Sequence, residues 1–150
     1  MSNSIKTITY KFSDCSKLYP ELTQDKIYIC GPEDLYRSFL FLFRQQVKER
    51  FIVFWLNATN RIIGFEIVTE GILNSSLIHP REVFRGAIVA TCASVILSHN
   101  HPSGNTEPSA EDLSITKQIV EAGKIIGIPV HDHIVFTDDA FVSFAERGLI

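Results

Sequence analysis

At 150 residues, 45% hydrophobic and 21% charged, the chain is long enough for one domain with a real core and too apolar to stay disordered. A net charge of −3 at pH 7 gives no sign of a nucleic-acid or anionic-membrane partner. Cys15, Cys30 and Cys92 are odd in number and form no CxxC pair, which argues against a disulfide framework or thiolate zinc site and for a reducing cytoplasm.

Residues 1–27 read as an N-terminal extension without the apolar core of a signal peptide, and the domain proper runs over residues 28–150. Within the extension, residues 5–12 place Ile8, Tyr10 and Phe12 on one side of an edge strand, and residues 13–25 form a polar loop broken by Pro20. Lys26 to Cys30 reads as a short strand. Gly31-Pro32-Glu33-Asp34 opens a helix, with proline in its first turn and acids favoured by the dipole. Its buried stripe is Leu35, Phe39, Leu42, Phe43 and Val47, and Lys48, Glu49 and Arg50 end it.

Phe51 to Leu56 is apolar on both faces, as a central strand is, yet far too short to cross a bilayer. After a turn over Asn57 to Asn60, a second strand runs from Arg61 to Thr69. Pro80-Arg81-Glu82 opens a helix in which Val83, Phe84, Ala87, Ile88 and Thr91 recur. Residues 93–98 are a buried strand, and a helix spans Ser109 to about Ile126, capped by Gly127 and stopped before Pro129. Val130 to Phe136 alternates as a strand carrying Asp132 and His133, and Phe141 to Phe144 closes the chain as a short strand or turn. This alternation predicts an α/β sandwich with a mixed sheet.

Polar chemistry gathers between the 93–98 strand and the following helix, at the carboxyl end of a strand, where open α/β sheets build their sites. His99 and His101 sit at i and i+2, so on an extended stretch both imidazoles face one point. The first helical turn brings Asp112 to the same place. Two imidazole nitrogens and a carboxylate suit zinc with its fourth position left to water. Ser109-Ala110-Glu111-Asp112 also fits a helix capping box, and Asp112 can equally orient a histidine rather than bind metal.

A zinc-activated water needs a base, and Glu66 is the one charge inside a strand with two apolar faces. A carboxylate placed there must be near the surface, paired or used. The Ser109 hydroxyl is placed to donate to the oxyanion formed on an attacked carbonyl. Other hydrolytic patterns fit less well: no HExxH, no H-x-E with P-C-x-x-C, and no nucleophile elbow for a serine triad. His131-Asp132-His133 repeats the H-x-H pattern without a following carboxylate, so Asp132 and His133 read as residues supporting the ligands.

His99-x-His101, seven residues, Ser109, two residues and Asp112 resemble the JAMM signature of the JAB1/MPN metalloprotease superfamily. His-Asn-His-Pro-Ser-Gly at 99–104, Pro80-Arg81-Glu82-Val83, Asp132-His133 and Ser143-Phe144-Ala145-Glu146-Arg147-Gly148 are similar to its bacterial RadC branch. The resemblance implies an α-β-α sandwich related to cytidine deaminases. It also implies one zinc per chain on His99, His101 and Asp112, with Glu66 as general acid/base and Ser109 as oxyanion partner. Glu66 precedes Gly71 by the family's five residues, whereas the rival Glu70 fits that spacing poorly. His131 departs from the family, where an apolar residue is more usual. Longer RadC proteins carry an N-terminal helix-hairpin-helix DNA-binding segment that 150 residues are too few to hold, which removes the main reason to expect DNA binding.

The expected function is therefore a cytoplasmic zinc-dependent hydrolase cleaving a peptide or isopeptide bond in a peptide or protein substrate, with no membrane partner. The alternative is a non-catalytic module of the same fold that binds DNA or a partner protein, linked to DNA repair.

Overall fold

A run of apolar residues from Phe51 to Leu56 demands cover on both faces, and the structure provides it. A computed structural model of the chain describes residues 4–22, 26–71 and 78–150. Five strands, β1 (Glu49–Leu56), β2 (Ile62–Gly71), β3 (Ser94–Asn100), β4 (Val130–Phe136) and β5 (Phe141–Ser143), form one sheet in the order β2-β1-β3-β4-β5. Only β3 and β4 are parallel, so the sheet is mixed.

Helices α2 (Pro80–Val89) and α3 (Ala110–Ile126) cover one face, where Phe51, Val53 and Trp55 of β1 meet Val83, Phe84, Ile115 and Ile119. On the other face, α1 (Pro32–Phe39) and a short 3₁₀ turn at Leu40–Leu42 bury Leu35, Phe39 and Leu42 against Ile52, Phe54, Leu56 and Phe136. The architecture is thus the expected α-β-α sandwich. Gly123 lets α2 and α3 close together: a Cβ there would stand 2.6 Å from the Ile128 carbonyl oxygen and 3.0 Å from the Phe84 ring.

Three local expectations are corrected. Residues 5–12 form no strand; Ile8, Tyr10 and Phe12 are exposed, with Phe12 edge-on to Trp55. The Lys26 to Cys30 strand shrinks, among the described residues, to one bridge between Tyr28 and Arg61. The third correction matters for function. The apolar stripe after Pro32 is buried through Phe43, but the α-helix ends at Phe39 and the chain turns at Gln45, which has φ +58°. Val47 is exposed, and Glu49 and Arg50 belong to β1 rather than to a helix end.

Candidate metal centre

β3 is buried along its whole length, and His99 near its end is fully inaccessible. One residue beyond the strand, the His101 N–H still donates to the Phe136 carbonyl at 2.9 Å, so the backbone stays extended while the two rings turn to the same side. Their Nε2 atoms lie 2.9 Å apart. The chain then loops back through Gly104, at φ +80°, to Ser109, the N-cap of α3. The capping box is complete: the Asp112 N–H donates to Ser109 Oγ at 3.1 Å, and the Ser109 N–H to Asp112 Oδ2 at 2.8 Å. Capping fixes the carboxylate where the histidines end. Asp112 Oδ1 is 3.4 Å from His99 Nε2, and Oδ2 is 3.3 Å from His101 Nε2. The two readings the sequence left open for Asp112 are therefore compatible, because one carboxylate caps the helix and faces both rings.

Protonation follows from the neighbours. His101 Nδ1 lies 2.7 Å from the Asn105 carbonyl oxygen, which can only accept, so Nδ1 carries a hydrogen and Nε2 of the neutral ring is a bare lone pair. The bond to Asp112 raises the His101 pKa above its ordinary value against the opposing effect of burial. Burial alone would raise Asp112, but the His101 and His99 imidazoles, with the Ser109 amide, hold its carboxyl far below the usual range. His99, His101 and Asp112 offer ligand atoms all within 4.8 Å of one another and can hold a metal ion. Two imidazole nitrogens 2.9 Å apart beside a carboxylate attract a cation or a proton between them, and the mixed nitrogen–oxygen set suits a borderline divalent metal.

Glu66 does not join this cluster. Val53 stands in register between Glu66 on β2 and Leu97 on β3, two residues short of His99. Two strand spacings and two residues put the Cα atoms of Glu66 and His99 roughly 12 Å apart. The Glu66 side chain lies instead against Gly86 of α2 and pairs with Arg85 at 3.2 Å. Of the outcomes open to a carboxylate between apolar faces, two are realised together: Glu66 lies on the edge strand near the surface and is paired there. Glu70, the rival, pairs with Arg50 at 3.4 Å.

The carboxylate that the strand register brings to the histidines is Glu49. Phe51 pairs with His99, so the antiparallel register continued by two residues sets Glu49 opposite His101. Its charge helps raise the His101 pKa. Placing Glu49 at a helix end hid this. The usable signal was the period-two run Glu49, Phe51, Val53, Trp55, which puts the carboxylate on the same face as the apolar residues under α2 and α3.

Ser109 is exposed at the mouth of the cluster. Asp132 faces away from it, accepting from the His133 N–H at 2.7 Å, the Ser143 hydroxyl at 2.6 Å and the Ala145 N–H at 2.9 Å. His133 reaches the ligands directly, its Nε2 lying 2.7 Å from His99 Nδ1. Burial drives its pKa well below the ordinary value, so the ring is neutral.

A model of the RadC-like JAB domain matches residues 29–149. The chain belongs to this family. RadC-like relatives include a UPF0758 protein of Methanosarcina acetivorans, 42% identical over 93% of this chain and 61% of that protein. A UPF0758 protein of Geobacter sulfurreducens is 44% identical over 86% of this chain and 58% of its own length. One from Caldanaerobacter subterraneus is 46% identical over 80% of this chain and 52% of its own. The RadC-like chain thus spans about three fifths of the first of these relatives and about half of the last. No helix among its described residues is long and apolar enough to cross a membrane.

Proposed function

We propose that this RadC-like JAB domain is a zinc-dependent hydrolase that cleaves a peptide or isopeptide amide bond. The observation that carries the reading is the convergence of His99, His101 and Asp112 within 4.8 Å at the carboxyl end of β3. These three side chains would hold the metal and leave it open to water. A bound zinc supplies Lewis acidity, lowering the pKa of water and polarising the scissile carbonyl.

The remaining steps belong to the chain's own residues. Glu49, opposite His101 in register, replaces Glu66 in the reading as the base that takes a proton from water and returns it to the leaving amine. Ser109 Oγ already accepts from the Asp112 N–H, which leaves its own O–H to donate to the carbonyl oxygen as negative charge develops there. Free cysteines at positions 15, 30 and 92 fit a reducing cytoplasm.

The test is a peptide and isopeptide cleavage screen at matched zinc loading. Glu49→Gln should lower the rate about 10²–10⁴-fold, the usual worth of a positioned acid/base, while Glu66→Gln leaves it near wild type. Full activity in Glu49→Gln sinks the assignment of the base. A protein that refuses zinc at neutral pH sinks the enzyme, and the fold would then have to act as a binding module.

A further inference from the structure

We propose that Thr116 and His133 are positioning residues that hold His99 as its Nδ1–H tautomer, with the Nε2 lone pair turned toward His101 and Asp112. The inference rests on the metal-binding reading for its consequence, but the tautomer itself can be read in metal-free protein.

The assignment starts from one backbone carbonyl. Thr116 Oγ1 lies 2.6 Å from the Asp112 carbonyl oxygen and 2.6 Å from His133 Nδ1. The carbonyl can only accept, so the single hydroxyl proton of Thr116 goes to it, and the hydroxyl oxygen accepts from His133 Nδ1–H. His133 is 1% exposed, with Phe144 stacked on it at 4.6 Å and Phe51 edge-on at 5.5 Å, surroundings that favour the neutral ring. A neutral His133 with hydrogen on Nδ1 has a bare Nε2, which accepts from His99 Nδ1–H at 2.7 Å. His99 Nε2 is then left without hydrogen, 2.9 Å from His101 Nε2 and 3.4 Å from Asp112 Oδ1. With the rings neutral, reversing any one step sets two hydrogens or two lone pairs against each other at 2.6–2.7 Å.

The relay begins and ends on one residue: it starts at the Asp112 carbonyl and finishes at a nitrogen facing the Asp112 carboxylate. Thr116 stands one helical turn after Asp112, the spacing at which a threonine hydroxyl reaches the i−4 carbonyl. Such back-bonding adds nothing to helix stability, and valine at 116 with phenylalanine at 133 would fill the same space. A purely packing role therefore predicts no dependence on the hydroxyl.

The experiment uses the full chain. Imidazole ¹⁵N NMR of metal-free protein reads the His99 tautomer, and competition with a chelator reads zinc affinity. Wild type should show hydrogen on His99 Nδ1. Thr116→Val, which touches no ligand side chain, should populate His99 Nε2–H and weaken zinc binding about 10–100-fold, the usual cost of losing an outer partner of a metal ligand. Thr116→Ser should restore both readouts. His133→Phe, which keeps a ring between Phe51 and Phe144, should reproduce the valine result. The proposal is overturned if the His99 tautomer is unchanged in Thr116→Val and His133→Phe, or if Thr116→Ser fails to restore it. If wild type binds no zinc, the metal reading fails while the tautomer measurement still decides the relay.

Discussion

His101 sets how the site answers to pH. Asp112 holds its imidazole protonated to higher pH than usual, and in the metal-free protein that proton occupies the nitrogen a metal needs. Zinc affinity should therefore be fullest above the raised His101 pKa and fall as pH drops through it, with a proton released on binding. Titration calorimetry in buffers of different ionisation heat measures that release, and a binding enthalpy independent of buffer near pH 6.5 contradicts it. Asp112 is depressed, so its contribution to stability is present above the ordinary carboxylate range and is lost only as pH falls toward its lowered folded value. At this scale the sequence was most informative where the chemistry is local. His99, His101, Ser109 and Asp112 lie within one strand-loop-helix stretch, and the positions of their side chains follow from strand period and helix cap alone. Glu49 rather than Glu66 lies beside the histidines because each sits on a different strand, and its place depends on a register that spacing along the chain does not reveal.

Elements were readable where local signals agreed. The doubly apolar β1 core, the turn before β2, the Pro80 start of α2, and the Ser109 and Gly127 caps of α3 all fall where propensity and pattern point together. The end of α1 was not, since a 3₁₀ turn buries Leu42 as well as another α turn would, and only the sheet decides where the chain must leave. The dual use of the Ser109 cap gives a test at this scale. Ser109→Ala should cost about 1 kcal/mol of stability through the lost cap and also slow cleavage. Ser109→Asp keeps a capping oxygen, so its melting temperature should stay near wild type while cleavage still falls. Equal stability loss in both variants contradicts the cap. Gly123→Ala carries a second expectation. Alanine favours helix intrinsically, yet here it should destabilise by about 1–3 kcal/mol in denaturant unfolding, because the Ile128 carbonyl in the turn after α3 and the Phe84 ring of α2 leave no room for the added carbon.

The molecule as a whole joins two layers of helices through a sheet whose central strand ends at the ligands. A metal held between β3 and α3 can bind only when both are in place, so it should stabilise the folded chain. At a free zinc concentration about 100 times Kd the gain is roughly 2.7 kcal/mol, or some 5–11 °C in Tm for a domain of this size. Calorimetric scans with and without zinc check this, and His99→Ala should show no such shift. The tail of the chain takes part too. Phe144 lies flat on the His133 ring, and the Ala145 amide is tied to Asp132. The metal-capable cluster found among the described residues comes from positions 99–112, but the dry floor behind it is laid by Phe144, more than thirty residues further on. A truncation that stops at Ser143 would let water in beneath the histidines from the rear.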